Sequence, residues 1–101
     1  MAGIAREPRY VISIAARMVG VHTHTLRYYE RVGLLEPARS ESNLRLYSDE
    51  DIDRLHRIRT LMDELGVNLA GVEVILKLLG RMEEMQRQIE AMSKDMRRGP
   101  R

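Results

Sequence analysis

The residues of this sequence that are best suited to chemistry lie in one short segment. His24, Arg27, Tyr28 and Arg31 follow one another at spacings of three, one and three, so a helix would present all four on one face. Arginine donates hydrogen bonds to guanine edges or phosphates in the major groove of DNA, and tyrosine and histidine donate to phosphates. The solvated basic face of an ordinary amphipathic helix has the same spacing, so the spacing alone leaves both interpretations open.

Two short helices joined by a glycine turn would hold this face in place. Ser13 stands at an N-cap position before an apolar helix that Gly20 ends, because glycine accepts the left-handed conformation that follows a helix. A second helix is predicted from Thr23 to Arg31, and Gly33 ends it. Two helices joined in this way are typical of a helix-turn-helix.

A β-hairpin is predicted directly after these helices. Residues 38–47 are polar around residues 40–43 and then alternate between apolar and polar side chains. Arg39 at the entry, and Arg45 and Tyr47 on the return strand, make the hairpin a basic wing that can reach the DNA backbone. A helix-turn-helix followed at once by such a wing favours DNA binding over a merely solvated face. The predicted DNA-contacting residues of these elements are His22, Thr23, His24, Arg27, Tyr28, Arg31, Arg39, Arg45 and Tyr47.

More helices are predicted after the hairpin. Ser48 is an N-cap residue with acidic residues in the turn that follows, where the helix dipole favours them, and Gly66 ends this helix. Asn68 caps the next helix, which Gly80 is expected to interrupt. A last helix is predicted over residues 81–96.

The tail carries an apolar stripe that predicts a dimer. Its residues alternate spacings of three and four, which is the a/d pattern of a coiled coil. The alternative is that this helix packs on the preceding part of its own chain. Charged and polar residues at the other positions leave only this stripe apolar. The residues of the stripe, here called the seam, are Ile75, Leu78, Met82, Met85, Ile89, Met92 and Met96.

Composition bounds the remaining possibilities. The chain has 101 residues, 44% of them hydrophobic and 32% charged, which suits one compact domain with an appendage. We expect a mainly α fold with a flexible N-terminus over 1–9, a winged helix-turn-helix head over 10–80, a dimerisation helix over 81–96 and a basic tail over 97–101. Residues 1–47 hold seven arginines against four glutamates, and this mild excess permits nucleic-acid binding.

Catalysis and metal binding are not expected. The chain lacks cysteine, so it has no disulfide, thiolate nucleophile or cysteine metal site. No Ser/His/Asp arrangement or glycine-rich phosphate loop is evident, and His22, His24 and His56 do not converge with carboxylates at ligand spacing. We therefore expect no catalytic residue, no cofactor and no metal. Without a secretory signal or a membrane-spanning apolar run, a cytoplasmic, nucleoid-associated protein is expected.

Three segments carry a resemblance to a known family. They are Thr25–Pro37 (TLRYYERVGLLEP), Arg45–Ser48 (RLYS) and the pair Asp51-Ile52. At these offsets the sequence resembles the signature of the MerR family of regulators, over roughly residues 10–80. The resemblance implies a homodimer of winged helix-turn-helix heads, joined by an antiparallel coiled coil, that binds double-stranded DNA and regulates transcription.

Three further segments resemble the short heat-shock repressors of that family. They are Tyr10–Ala16 (YVISIAA), Val21–Arg27 (VHTHTLR) and Gly66–Val72 (GVNLAGV). This resemblance implies repression of chaperone genes from an inverted repeat, with the DnaK chaperone as a candidate co-repressor. The wing tip departs from the subgroup, because Ser40–Leu44 (SESNL) replaces a glycine- and arginine-rich tip and Glu41 disfavours a close phosphate contact there.

Two alternatives stay open. One is a ligand- or nutrient-responsive activator of the same family, although only five residues follow Met96 and leave little room for a ligand pocket. The other is an interaction module in which the helix-turn-helix contacts protein and the coiled coil acts as a scaffold. The basic face around Arg27, together with Arg45, disfavours the module because a scaffold would not need it.

Overall fold

The computed structural model describes residues 5–99, and the described chain is mainly helical with one small antiparallel sheet. Its elements in chain order are β1 Tyr10–Val11, α1 Ile12–Val19, α2 Thr23–Arg31, β2 Ala38–Arg39, β3 Arg45–Tyr47, α3 Asp49–Arg59, a π-helical turn Thr60–Glu64, and α4 Leu69–Arg98. The predicted flexible N-terminus and basic tail lie partly outside the described residues. Over residues 5–99, no helix combines the length and the apolar character that a membrane span requires.

The first two helices form the predicted helix-turn-helix. Gly20 follows α1 in the left-handed conformation at φ 81°, and its N–H donates to the Ala16 carbonyl at 2.8 Å. The prediction that Ser13 caps this helix is wrong. The cap residue is Val11, without a side-chain hydrogen bond, because the chain passes straight from strand β1 into α1 and Ser13 lies inside the first turn.

The predicted hairpin is present and belongs to a three-stranded sheet in the order β1-β3-β2. Ala38 pairs with Leu46, and Tyr10 of β1 pairs with Tyr47 on the other edge of β3. At the tip Asn43 has a positive φ of 64° and its N–H donates to the Ser40 carbonyl at 2.9 Å. The wing is therefore tied to the start of α1 through strand β1.

The core lies between the first three helices and the sheet. Leu26 on α2 is fully buried, while Tyr29, one turn later, is half-buried against the same core, as their spacing predicts. Burying a leucine side chain contributes about 1.5–3 kcal/mol, so the inward face of α2 fixes which face points outward. The buried residues that pack together in this cluster are Ala15, Ala16, Val19, Leu26, Leu35, Tyr47, Ile52 and Leu55.

Helix α3 begins with the predicted cap. The Ser48 hydroxyl accepts from the Asp51 N–H at 3.1 Å, and the Asp51 carboxylate accepts from the Ser48 N–H at 2.9 Å. This reciprocal capping box satisfies two amide groups at the start of the helix. Tyr10 ties β1 to the same helix end, since its Oη donates to Asp49 Oδ1 at 2.7 Å.

Helix α4 is continuous over 30 residues. Asn68 caps it as predicted, accepting from the Gly71 N–H at 2.9 Å. The prediction that Gly80 interrupts the helix is wrong. A mid-helix glycine costs only about 1 kcal/mol relative to alanine, and strong helix formers on both sides outweigh that cost. The chain divides into two compact units, one ending at Gly66 and the other beginning at Val67. The expected domain boundary at residue 80 stays a prediction.

Candidate nucleic-acid interface

Helix α2 presents an outward face that carries the predicted contact residues. His24, Arg27, Tyr28 and Arg31 are all exposed, whereas Leu26 on the opposite face is fully buried. The Arg31 guanidinium lies over the Tyr28 ring, 5.5 Å from its centroid, which orders both side chains on the surface. The face thus holds two cationic side chains and two aromatic donors without a neighbouring element of the head to cover them.

Two more of the predicted DNA-contacting residues, His22 and Thr23, lie at the start of α2. His22 is the N-cap residue, in an extended conformation and without a side-chain cap hydrogen bond, and Thr23 is the first helical residue. The rings of His22 and His24 stack in parallel, 5.3 Å apart between centroids. The helix dipole favours anions at this end, so the position suits a phosphate contact.

The two wing arginines are held by a residue that the sequence interpretation missed. Arg39 Nη2 donates to Glu30 Oε1 at 2.9 Å, and Arg45 Nε donates to Glu30 Oε2. Arg39 Nη1 also donates to the Asn43 carbonyl at 3.3 Å. Glu30 is the one acidic residue of α2, and an acid within an otherwise basic helix was the available signal. Its two ion pairs join the end of α2 to the strand residues that flank the tip loop of the wing.

Electrostatics at Glu30 keep it ionised. Partial burial raises the pKa of the Glu30 carboxyl, but the hydrogen bonds and charges of Arg45 and Arg39 outweigh that effect and bring the pKa below its ordinary value of 4.5. The hydrogen bond from Arg45 likewise raises the pKa of the Arg45 guanidinium. Both groups are charged at neutral pH. The cluster of Glu30 with Arg39 and Arg45, here called the clamp, is therefore held by ion pairs throughout the physiological range.

The prediction that Tyr47 contacts DNA is wrong. Its side chain is fully buried, because strand β3 turns alternate residues toward the core and Tyr47 lies on that side. Its hydroxyl has no hydrogen-bond partner among the described residues. Burial, followed by the charge of Glu30, raises the pKa of Tyr47, so the group is neutral. Tyr47 is a core residue that holds the wing to the head.

The turn between α1 and α2 is braced by another residue that sequence reasoning missed. Arg59 of α3 donates from Nη1 to the main-chain carbonyl of Val19, and its Nε pairs with Asp63 at 3.3 Å. A Cβ atom at Gly20 would lie 2.6 Å from the same Nη1. No sequence signal links positions 40 residues apart, so only the tertiary structure reveals this brace.

The seam residues lie along α4, and most of them are exposed. Leu78 is 54% exposed and Met96 81%, while Ile75 is half-buried. Glu41 at the wing tip is also exposed. Within residues 5–99 no three histidine or acidic side chains lie close enough to hold a metal ion.

Comparison with known proteins gives a family. Residues 10–79 match the family model of MerR HTH regulatory proteins. The chain is 43% identical over 79 residues to a protein assigned as heat shock protein HspR from Streptomyces coelicolor, covering 78% of this chain and 52% of that protein. It is 42% identical over 76 residues to the mercuric resistance operon regulatory protein of Bacillus cereus, covering 74% and 57%. The chain therefore spans about half the length of these curated relatives.

Solved structures agree on the fold. A MerR family transcriptional regulator from Bacillus cereus superimposes with a TM-score of 0.63 at 26% identity, covering 86% of this chain and 70% of that chain. HiNmlR, a MerR family regulator lacking the sensor domain and bound to promoter DNA, gives 0.63 at 23% identity over 88% and 76%, which supports the fold alone. Proteins of this family regulate transcription by binding DNA and are not enzymes. Since the match over residues 10–79 covers more than half of the sequence, the chain belongs to the MerR family of helix-turn-helix regulatory proteins.

Proposed function

We propose that this chain is a sequence-specific regulator that binds double-stranded DNA as a homodimer on an inverted repeat and represses heat-shock or chaperone genes in the cytoplasm. The observation that carries DNA binding is the outward face of α2, where Arg27 and Arg31 stand exposed opposite the buried Leu26. An exposed helix face of this kind fits the major groove, which accepts one α-helix. The stacked histidines at the start of α2 and the wing beside its end would contact the flanking phosphates.

The proposed homodimer rests on the seam of α4. Exposed apolar side chains at a and d positions need a partner, and a second copy of the same helix supplies one. In an antiparallel pair an a residue meets a d residue of the partner. One such register pairs Met82 with the partner's Met92, and Met85 with the partner's Ile89.

The charged residues beside the seam favour this register. The register places Arg81, at a g position, opposite the partner's Asp95, while Gln88 meets its own copy at the two-fold axis. A neutral residue suits the axis because identical charges would repel there. A parallel dimer would instead bring Arg81 near a glutamine and gain no ion pair.

Disulfide mapping tests the register without interference, since the sequence has no cysteine. The double variant Met82→Cys/Met92→Cys should form disulfides that link position 82 of one chain to position 92 of the other. The two positions within one helix are about 15 Å apart, too far for an internal bridge. Exclusive 82–82 and 92–92 links would establish a parallel dimer and contradict the proposal.

Repression of heat-shock genes rests on the similarity to HspR, and a DnaK-type chaperone is the corresponding co-repressor. The similarity to the mercuric resistance regulator, at nearly the same identity, supports the second candidate, a ligand-responsive activator. Transcription in vitro from a promoter that carries the bound site separates them. A repressor lowers transcript yield when the chain is added, with or without the chaperone, whereas an activator raises it with its ligand.

Selection from a random duplex library tests DNA binding itself. Purified protein should enrich an inverted repeat whose half-sites are separated by about one helical turn or a multiple of it. Failure to enrich any sequence would contradict the proposal and favour a protein-interaction module. Enrichment of a single half-site without its repeat would contradict the dimer while supporting DNA binding.

A further inference from the structure

Glu30 contacts Arg39 and Arg45, the strand pair beside the tip loop of the wing, one with each carboxylate oxygen. The pairs join residues 9 and 15 positions apart in sequence, so they connect the end of α2 to both strands of the hairpin. The exposed fractions of the side chains are 21% for Glu30, 39% for Arg39 and 27% for Arg45. Because the pairs are partly buried, dissolved salt screens them less than it screens fully exposed ion pairs.

The clamp changes the charge that the wing offers to DNA. Three ionised groups leave a net charge of +1 where two free arginines would give +2. Each arginine uses only part of its five-donor guanidinium on Glu30, so donors remain for a phosphate that approaches from the right direction. A phosphate in an arbitrary position would have to displace the carboxylate first.

We propose that Glu30 is a specificity-determining positioning residue, which orients Arg39 and Arg45 for phosphates of the cognate site and withholds them from phosphates of other DNA. The inference rests on the proposed DNA binding. Non-specific affinity comes from neutralised phosphates, and each adds about 0.9 to the slope of log affinity against log salt. A carboxylate that holds two arginines therefore lowers non-specific binding more than cognate binding.

Glu30→Gln tests this directly, because it keeps the side-chain shape and removes the charge that holds both arginines. Glu41→Gln is the matched control, since it removes one charge from the exposed wing tip and, within residues 5–99, Glu41 pairs with neither arginine. Fluorescence anisotropy with a scrambled duplex and with the selected repeat, over a fourfold range of salt, gives the slopes. Circular dichroism and thermal unfolding establish that each variant is folded.

The Glu30→Gln variant should bind the scrambled duplex more tightly than the wild type and lose three- to twelvefold more affinity over that salt range, which is a slope steeper by about 0.9 to 1.8. Its preference for the selected repeat should fall. Equal slopes for the Glu30→Gln and Glu41→Gln variants would overturn the inference. So would weaker binding to both duplexes at an unchanged slope, since that indicates a purely structural role.

Arg39→Gln provides a second test that does not depend on the fold of the Glu30 variant. If Glu30 withholds Arg39, this exposed substitution should leave the scrambled-duplex slope nearly unchanged. A slope lowered by about 0.9, which is the contribution of one neutralised phosphate, would overturn the inference. A wild type that binds neither duplex would instead refute the proposed function, so the two failures are distinguishable.

Discussion

Arg59 donates a hydrogen bond to the main-chain carbonyl of Val19, and this contact spans 40 positions of sequence. It satisfies a carbonyl at the end of α1, where helices leave their last carbonyls without partners. The same guanidinium occupies the space beside Gly20 that a side chain would need. Arg59 therefore fixes the turn that sets the angle between α1 and α2.

Gly20→Ala should destabilise the head by more than about 1 kcal/mol. Gly20 has a φ of 81°, which alanine rarely adopts, so the cost comes from backbone strain; the new Cβ would also push aside the end of the flexible Arg59 side chain. Gly80→Ala is the matched control, because Gly80 lies inside α4 with open space around it, and it should stabilise the protein by about 0.5–1 kcal/mol. Urea unfolding of both variants measures this. Equal effects of the same sign would show that the turn is not constrained as described.

Tyr47→Phe should leave stability unchanged or raise it by up to about 1 kcal/mol. The hydroxyl is buried without a partner among the described residues, so its removal costs no hydrogen bond. Tyr47→Ala should cost about 3–5 kcal/mol, since it opens a cavity in the core. Thermal and urea unfolding give both values. A loss above 1 kcal/mol for the phenylalanine variant would reveal a partner for the hydroxyl, and weaker DNA binding by that folded variant would restore Tyr47 as a contact residue.

The stability that the Glu30 clamp contributes should depend on pH below about 4.5. Because the pKa of Glu30 is lower in the folded chain than its ordinary value of 4.5, the contribution is complete above that value and is lost as pH falls through the folded pKa. The difference in unfolding free energy between the wild type and Glu30→Gln should be constant from pH 7 to pH 5.5 and shrink below pH 4.5. A difference that persists unchanged at pH 3 would mean that charge is not what the clamp contributes.

Charge placed in the seam should break the dimer and spare the head. Met85→Asp/Ile89→Asp would bury carboxylates at an interface that offers no partner, which is costly. Ala91→Asp adds a carboxylate to an exposed position of the same helix outside the seam and should leave the dimer intact. Sedimentation gives the masses, and titration of the selected repeat gives the loss of linked half-site binding. A dimeric double variant with normal binding would place the dimer contact elsewhere.

Local signals predicted much of this fold. The bounds of α2, the hairpin, and the caps Ser48 and Asn68 follow from side-chain periodicity and from hydrogen bonds between residues close in sequence. The start of α1 did not follow, because pairing of β1 with β3 determines where the strand ends and the helix begins. The prediction that Gly80 interrupts the helix failed because a single residue of low helix propensity does not end a long helix.

The interface was predicted in part. The exposed face of α2 follows from spacing, since an inward Leu26 fixes the outward positions. Tyr47 was predicted to contact DNA because a tyrosine in a basic wing suits phosphate binding. Only the packing of β3 shows that its side chain faces the core. Glu30 stood out in the sequence only as the one acidic residue of α2, and its partners 9 and 15 positions away could not be read from a local pattern. The contact of Arg59 spans 40 positions and left no sequence signal.

The Arg27→Ala variant shows whether the outward face of α2 contacts DNA. Arg87→Ala is the control, because it removes the same charge from an exposed position of α4. Titration of the selected repeat and of a scrambled duplex should show a loss of about 1–3 kcal/mol for Arg27→Ala on the repeat and little change for Arg87→Ala. Loss on the repeat alone indicates a base contact, and loss on both duplexes indicates a phosphate contact. Unchanged affinity of the folded Arg27→Ala variant for both duplexes would mean that this face of α2 does not contact DNA.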